Sequence, residues 1–373
     1  MSPRVLFVSE ANEWTGGTAQ LLLLAEGLKT KGWDVVIGCR PGSGLSRHAA
    51  DRGLSTFLVP LREDYDLISG FELAKYIRDK KVDIIHAHHN RSHACCLLAQ
   101  AVLAAHGETR PFVVSRRVSF SPGKNPFSLW KYRSSLITRI VAVADAVKEV
   151  LVKAGVPEQR VEVIRSGVDL ARFSPRRASD AQKRALGLPA GVPLIGKIAN
   201  ASPWKGQTVL LEAAALMPKG AHFVFAGRDT DGPWMRSEVE RLGLSDRVTL
   251  LGFRTDVPDL LSALDVSVNA AVKGEGLSGA LRESLTMGVP VVASDIAGNR
   301  ELLVGGDGGW LFPGGDAKAL AERLQWVLAH PAEAKAAAKA WQERAMSGFT
   351  LDQTIARTDE LYRRLLAERA AKA

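Results

Sequence analysis

Residues 273–283 read KGEGLSGALRE, and two carboxylates, Glu275 and Glu283, stand eight positions apart across a glycine-rich turn. A carboxylate accepts two hydrogen bonds from a vicinal diol, which a ribose and a hexose both present. Between the two acids, the backbone amides of Gly276, Leu277, Ser278 and Gly279 fall where a helix would begin. Unpaired amides and the positive end of a helix dipole suit a phosphate. Helical side chains lean toward the N-terminus, so Glu283, little more than a turn inside, can point back at the same ligand. The stretch therefore reads as diol, phosphate and diol in sequence, which is a nucleotide sugar.

The same letters spell Gly274-x-Gly276-x-x-Gly279, the pattern of a dinucleotide-binding turn, with Asp295 at a tolerable distance for a ribose-binding acid. That fingerprint belongs after the first strand of its unit. Here at least three strand-like runs precede it, and Lys273 and Glu275 occupy the turn. A glycoside hydrolase needs an acid and a base flanking one bond. A glutamate committed to a phosphate-cradling helix start argues against that chemistry.

Such a turn needs strands and helices to position it. Short β-rich runs (RVLFVS, DVVIGC, VDIIHA, FVVS, RIVAVA) alternate with amphipathic runs such as AQLLLLAEGLKTKG, and a second series (PLIGKIAN, AHFVFAG, RVTLLGF, DVSVNA, PVVAS) follows. This rhythm predicts an α/β fold with parallel sheets. The expected division is an N-terminal domain over 1–175, a C-terminal domain over 176–350, and a terminal helix over 351–373 packing back toward the N-terminal domain. Two doubly wound domains imply a cleft between them, with ligands at the carboxyl ends of the strands.

At 373 residues the chain can bury two cores. A formal net charge of +9 favours anionic partners without choosing among them. Cys39, Cys95 and Cys96 are too few and too clustered for a disulfide framework. The longest apolar run, ACCLLAQAVLAA, is too short to span a bilayer, and the N-terminal run meets Glu10 too early for a signal-peptide core. The expectation is a cytoplasmic protein.

EGLSGALRE, followed by SLTMGVPVVASDIAGNREL, resembles the donor site of retaining glycosyltransferases of the GT-B fold, family 4 (group 1), similar to lipopolysaccharide-core and lipid-glycan sugar transferases. The resemblance covers nearly the whole chain. TGGTAQLLLLAEGLKTKGWDVVIGC, VDIIHAH, SGVDLARF, SPWKGQTVLLEAA and RVTLLGFRTDVPDLLSALDVSV match in order. It implies two Rossmann-like doubly wound domains facing each other across a cleft. Carried over, it implies that Glu283 binds the ribose hydroxyls and that Glu275 holds the transferred sugar near its anomeric centre. Lys205 would bind the diphosphate, Gly16 and Gly17 would form the loop facing diphosphate and acceptor, and backbone around Phe253 would contact the base. Glu275 and Lys205 are thus the expected catalytic residues, with no cofactor and no metal.

Two positions depart from the family pattern. Asn200 stands where the family carries a second diphosphate-binding arginine, although Lys197 is nearby, and Arg117 stands where it often carries a histidine. Arg116, Arg117 and His88 are the candidates for the acceptor or phosphate side. HAHHNRSHACC gathers His86, His88, His89 and His93 near Cys95 and Cys96, all good zinc ligands. Their places at a strand end and a helix start favour cleft-lining or core roles. The stretch 115–133 carries Arg116, Arg117, Lys124, Lys131 and Arg133 among Phe120, Phe127, Trp130 and Tyr132. It reads either as a solvated loop with a helix of buried aromatics or as a patch for peripheral contact with an anionic membrane, suited to a glycan or lipid-linked acceptor. No nucleic-acid recognition module accompanies it. A UDP-sugar is the expected donor, and a sugar-nucleotide epimerase or a non-catalytic nucleotide-sugar binder stays open as an alternative.

Overall fold

The computed structural model describes residues 2–122, 126–303 and 310–371, the side chains of residues 126 and 127 excepted. Two parallel sheets organise the chain. The first joins β1 (Arg4–Ser9), β2 (Asp34–Cys39), β3 (Ser55–Leu58), β4 (Ile84–Ala87), β5 (Phe112–Arg116), β6 (Arg139–Ala142) and β7 (Val161–Val163) in the order β3-β2-β1-β4-β5-β6-β7. The second joins β8 (Leu194–Ile198), β9 (His222–Ala226), β10 (Val248–Leu250), β11 (Val266–Asn269), β12 (Val291–Ser294) and β13 (Leu311–Phe312) in the order β10-β9-β8-β11-β12-β13. Helices cover both faces of such sheets, so central strands are largely apolar: β1, β2 and β4 are buried almost end to end.

Each sheet reverses its winding direction once, at the β1/β4 pair in the first and the β8/β11 pair in the second. Loops leaving the strands on either side of such a point diverge and leave a crevice at the carboxyl ends.

The chain divides into two units, residues 1–167 with 351–373, and residues 168–350. The boundary lies ahead of the 175/176 division read from the sequence because Val168 and Phe173 pack into the core of the second unit. The polar segment after this boundary, RRASDAQKRALGLPAG, is not all loop. It holds the helix Asp180–Ala185, started by a reciprocal Ser179–Gln182 capping box.

The terminal helix Leu351–Ala370 belongs to the first unit's core through Ile355, Leu361, Tyr362 and Leu365. Its contact with the helix Gly16–Thr30 depends on Gly27, where a β-carbon would lie 2.1 Å from Ile355 Cδ1. Trp33 Nε1 adds a 2.6 Å hydrogen bond to Asp359 Oδ1. Among the described residues, no helix is long and apolar enough to cross a membrane.

Candidate functional site

In the second unit the candidate donor residues gather at the β8/β11 switch. β8 leads into residues 199–206, and Gly206 starts the helix Gln207–Leu216 with φ +75°. A β-carbon there would lie 1.8 Å from the Ala270 carbonyl oxygen, so glycine lets this loop press against the end of β11. Val272 N donates to Trp204 O at 2.9 Å and closes the approach. The result brings Lys205 Nζ onto Glu275 Oε1, seventy positions away in sequence. The ammonium also sits 4.3 Å from the centre of the Trp204 ring.

Glu275 is held by what packs behind it. Gly298, in the helix Ala297–Leu303, comes so close that a β-carbon would meet Gly276 O at 2.2 Å and Glu275 O at 2.9 Å. Ser294 Oγ donates to Ala271 O, and Asn299 Nδ2 to Ser294 O at 2.9 Å. The helix Gly279–Thr286 begins at Ser278, whose hydroxyl accepts from Leu281 N. Ser284 Oγ fixes this helix to β11 through Ser267 Oγ at 2.7 Å. Gly279 is thus the first residue of the helix and Ser278 its cap, with Gly276 and Leu277 in the turn just ahead of it.

Glu283 is partly buried on that helix, and a β-carbon at Gly279 would be 3.9 Å from its Oε1. Its carboxylate therefore reaches back to the helix start. Burial pushes its carboxyl group up from the ordinary range, against the pull of Arg282 and Arg172. Arg282 is buried beside both glutamates, and burial draws it down to about 10. Lys197, within β8, is likewise buried, and its ammonium is brought down to about 7 by burial first and by Lys205 second.

Asn200 ties two strand ends together: its Oδ1 accepts from Arg228 N at 3.0 Å, just beyond β9. Gly227 allows that approach, with φ +141° and a virtual β-carbon 2.3 Å from Ala199 O. Gly227 N in turn donates to Gly252 O at 2.7 Å, which brings the backbone before Phe253 to the same edge. The Phe253 ring is exposed. Asp295, the acid of the rejected dinucleotide reading, is paired with Arg300.

In the first unit the candidates gather at the β1/β4 switch. The helix Gly16–Thr30 follows β1, capped by Thr15 Oγ1 on Thr18 N. A β-carbon on Gly17 would lie 3.5 Å from His89 Nε2 and 3.6 Å from Arg117 Cδ. Arg117 Nη1 donates to Ser166 Oγ at 3.1 Å, and its Nη2 lies 3.4 Å from His88 Nδ1. Burial, with His86 and Arg117 adding to it, holds the His88 imidazole well below its ordinary range, so it is neutral at pH 7. His86 is buried between Tyr362 and Ser115 and drawn down to about 3.

Gly17, His88 and Arg117 therefore come together with His89, whereas Arg116 turns into the fold. It donates to Tyr132 Oη at 2.6 Å and to Phe120 O. Lys131 is buried too, donating to Asn90 Oδ1 at 2.7 Å. Much of the basic and aromatic stretch is thus consumed internally, leaving Val118, Phe120 and Trp130 exposed. Lys124 and the side chain of Phe127 lie outside the described residues. Cys95 and Cys96 are core, and among the described residues no group of three or more His, Cys, Asp or Glu is placed to hold a metal ion.

The sequence reading left Arg282, Gly206 and Gly298 out of the site and gave His89 only a cleft-lining or core role. A glycine that fits only because a distant strand end lies 2 Å away carries no local signal. Lys197 did carry one, a charge inside an otherwise apolar strand.

Residues 14–172 match the model described as Glycosyltransferase Family 4, and residues 192–330 the one described as Glycosyl transferases group 1. The putative colanic acid biosynthesis glycosyltransferase WcaL of Escherichia coli is 35% identical over 47% of this chain, and the match spans 43% of that protein. The chain thus spans less than half the length of this curated relative. The UDP-Gal:alpha-D-GlcNAc-diphosphoundecaprenol alpha-1,3-galactosyltransferase of Escherichia coli is 25% identical over 90% of each chain. Among solved structures, Anabaena Alr3699/HepE in complex with UDP-glucose superposes with a TM-score of 0.82 at 21% identity, over 99% of this chain and 100% of that one. The chain belongs to the family 4, group 1 glycosyltransferases of the GT-B fold.

Proposed function

We propose that the protein is a retaining, metal-independent glycosyltransferase that moves a sugar from a nucleotide-diphosphate sugar, with UDP as the nucleotide, to a glycan or lipid-linked acceptor of the cell envelope. The observation that carries this reading is the Lys205–Glu275 pair at the β8/β11 switch, set beside a capped helix start with Glu283 behind it. Names of relatives support the substrate class: one acts on a UDP-galactose donor and a diphosphoundecaprenol-linked sugar.

In this reading Glu283 accepts from the ribose hydroxyls and Glu275 from the hydroxyls of the transferred sugar. Lys205 and the amides of Gly276 to Gly279 receive the diphosphate, and backbone near Asn200 and Phe253 borders the nucleotide. As the bond from the anomeric carbon to the phosphate oxygen breaks, negative charge grows on that oxygen, where Lys205 and the helix dipole stabilise it. The acceptor hydroxyl attacks on the same face, its oxygen bonds to the anomeric carbon, and its proton passes to the leaving phosphate oxygen. No separate protein base is then needed, and the cationic charge comes from the chain itself. Gly16, Gly17, His88 and Arg117 would serve the acceptor or phosphate side, while exposed Val118, Phe120 and Trp130 support peripheral contact with an anionic membrane.

The test combines thermal shift across UDP, GDP, ADP and their sugars with product analysis by NMR. A stabilising nucleotide sugar, a product of unchanged anomeric configuration, and activity insensitive to chelator are expected. Glu275→Ala and Lys205→Ala should each abolish most turnover while the fold persists. Full turnover in either variant, interconversion of free nucleotide sugars, or binding without transfer to any acceptor would sink the reading.

A further inference from the structure

Around the second sheet's switch point three cations, Lys197, Lys205 and Arg282, meet two carboxylates, Glu275 and Glu283. Lys197 is 2% exposed, and among the described residues its ammonium makes no hydrogen bond or ion pair of its own. The carboxylate in range, Glu275, is engaged by Lys205, and Lys205 itself repels Lys197. From the helix Gly279–Thr286, Arg282 adds a further cation beside Glu275. Across the ladder, Lys197 is paired with Phe225 of β9, which offers no charge. An apolar side chain would fill this strand position without the cost of a buried, unpaired charge. A lysine there makes physical sense if an anion arrives at the crevice.

We propose that Lys197 is a second cation for the donor's diphosphate, acting from the end of β8 inside the partly exposed Lys205. The proposal rests on the donor-site reading above. A monophosphate is met by Lys205 and the helix start; the added phosphate of a diphosphate brings the charge that Lys197 answers. With its ammonium brought down to about 7, Lys197 is mostly neutral at pH 8 in the free protein. An arriving diphosphate favours the ammonium form, so binding draws a proton from solvent.

Calorimetric titration of the full chain at pH 8 with UDP and with UMP, in two buffers of different ionisation enthalpy, tests this. GDP/GMP and ADP/AMP pairs are run alongside. Wild type is expected to bind the diphosphate with net proton uptake. Lys197→Met should weaken diphosphate binding about tenfold or more, leave monophosphate binding within about twofold, and abolish the uptake. Lys197→Arg, which keeps the charge, should retain the preference for diphosphate but without proton uptake, because a guanidinium stays protonated. Equal effects of Lys197→Met on both nucleotides, no effect on either, or uptake persisting in that variant would overturn the proposal and leave the donor site standing. Failure of wild type to bind any of the diphosphates would remove the donor-site reading and this proposal together.

Discussion

Gly206→Ala offers a direct test of how the site is built. Gly206 has φ +75°, which costs an alanine about 1–2 kcal/mol. The added β-carbon would also meet the Ala270 carbonyl oxygen at 1.8 Å, and real β-carbons do not approach closer than 3.0 Å. Because the obstacle is backbone, no rotamer change relieves it. The loop must retreat by at least about 1.2 Å, and Lys205, one residue earlier, moves with it away from Glu275. A misplacement of about 1 Å at a reacting centre can cost about a hundredfold in rate. Gly243→Ala is the control, since Gly243 has φ +65° with nothing within 4 Å of a virtual β-carbon. Urea unfolding should show a loss of about 1 kcal/mol for the control and about 3 kcal/mol or more for Gly206→Ala. Steady-state transfer should show kcat/KM near wild type for the first and about a hundredfold down for the second. Equal stability losses with equal kcat/KM would refute the claim that this contact sets Lys205.

Other outcomes follow from the same structure. For Lys197, the unfolded chain titrates at 10.5 and the folded one at about 7, so between those values the unfolded state holds more protons and wild-type stability rises with pH. Lys197→Met should therefore be the more stable protein at pH 6.5, with a gap that narrows by up to about 1.4 kcal/mol per pH unit toward pH 9.5 in urea titrations; a constant gap would contradict this. Tyr362→Phe strips the buried His86 Nδ1 of its partner, and a loss of about 1–3 kcal/mol should appear in denaturant unfolding. Gly27→Val drives a larger side chain into Ile355, 2.1 Å from a virtual β-carbon. It should loosen the terminal helix and speed its amide exchange, whereas unchanged protection would mean that the two helices are not held by this contact.

Much of the framework is legible in sequence because its cause is local. Apolar runs such as RVLFVS and DVVIGC become β1 and β2, since a parallel sheet covered on both faces needs strands apolar on both faces. A helix start near residues 276–279, with Glu283 little more than a turn inside, is legible from the glycine-rich turn and the helical run after it, whereas Ser278 as the capping residue comes from the structure. The short strands Ser55–Leu58 and Leu311–Phe312 were less legible. The first is largely exposed and the second is two residues long, so neither carries a strong apolar run.

The sequence by itself determined the alternation of strands and helices, the family, and a turn that sets two carboxylates about a helix start. It could not say what those carboxylates face. Only the order β8 next to β11 brings Lys205 onto Glu275 and leaves Lys197 buried beside them, and only the order β1-β4-β5 sets His89 and Arg117 against Gly17. Periodicity is a property of neighbouring residues, whereas strand order is settled by the packing of the whole unit, and the charges at a switch point acquire their partners only then.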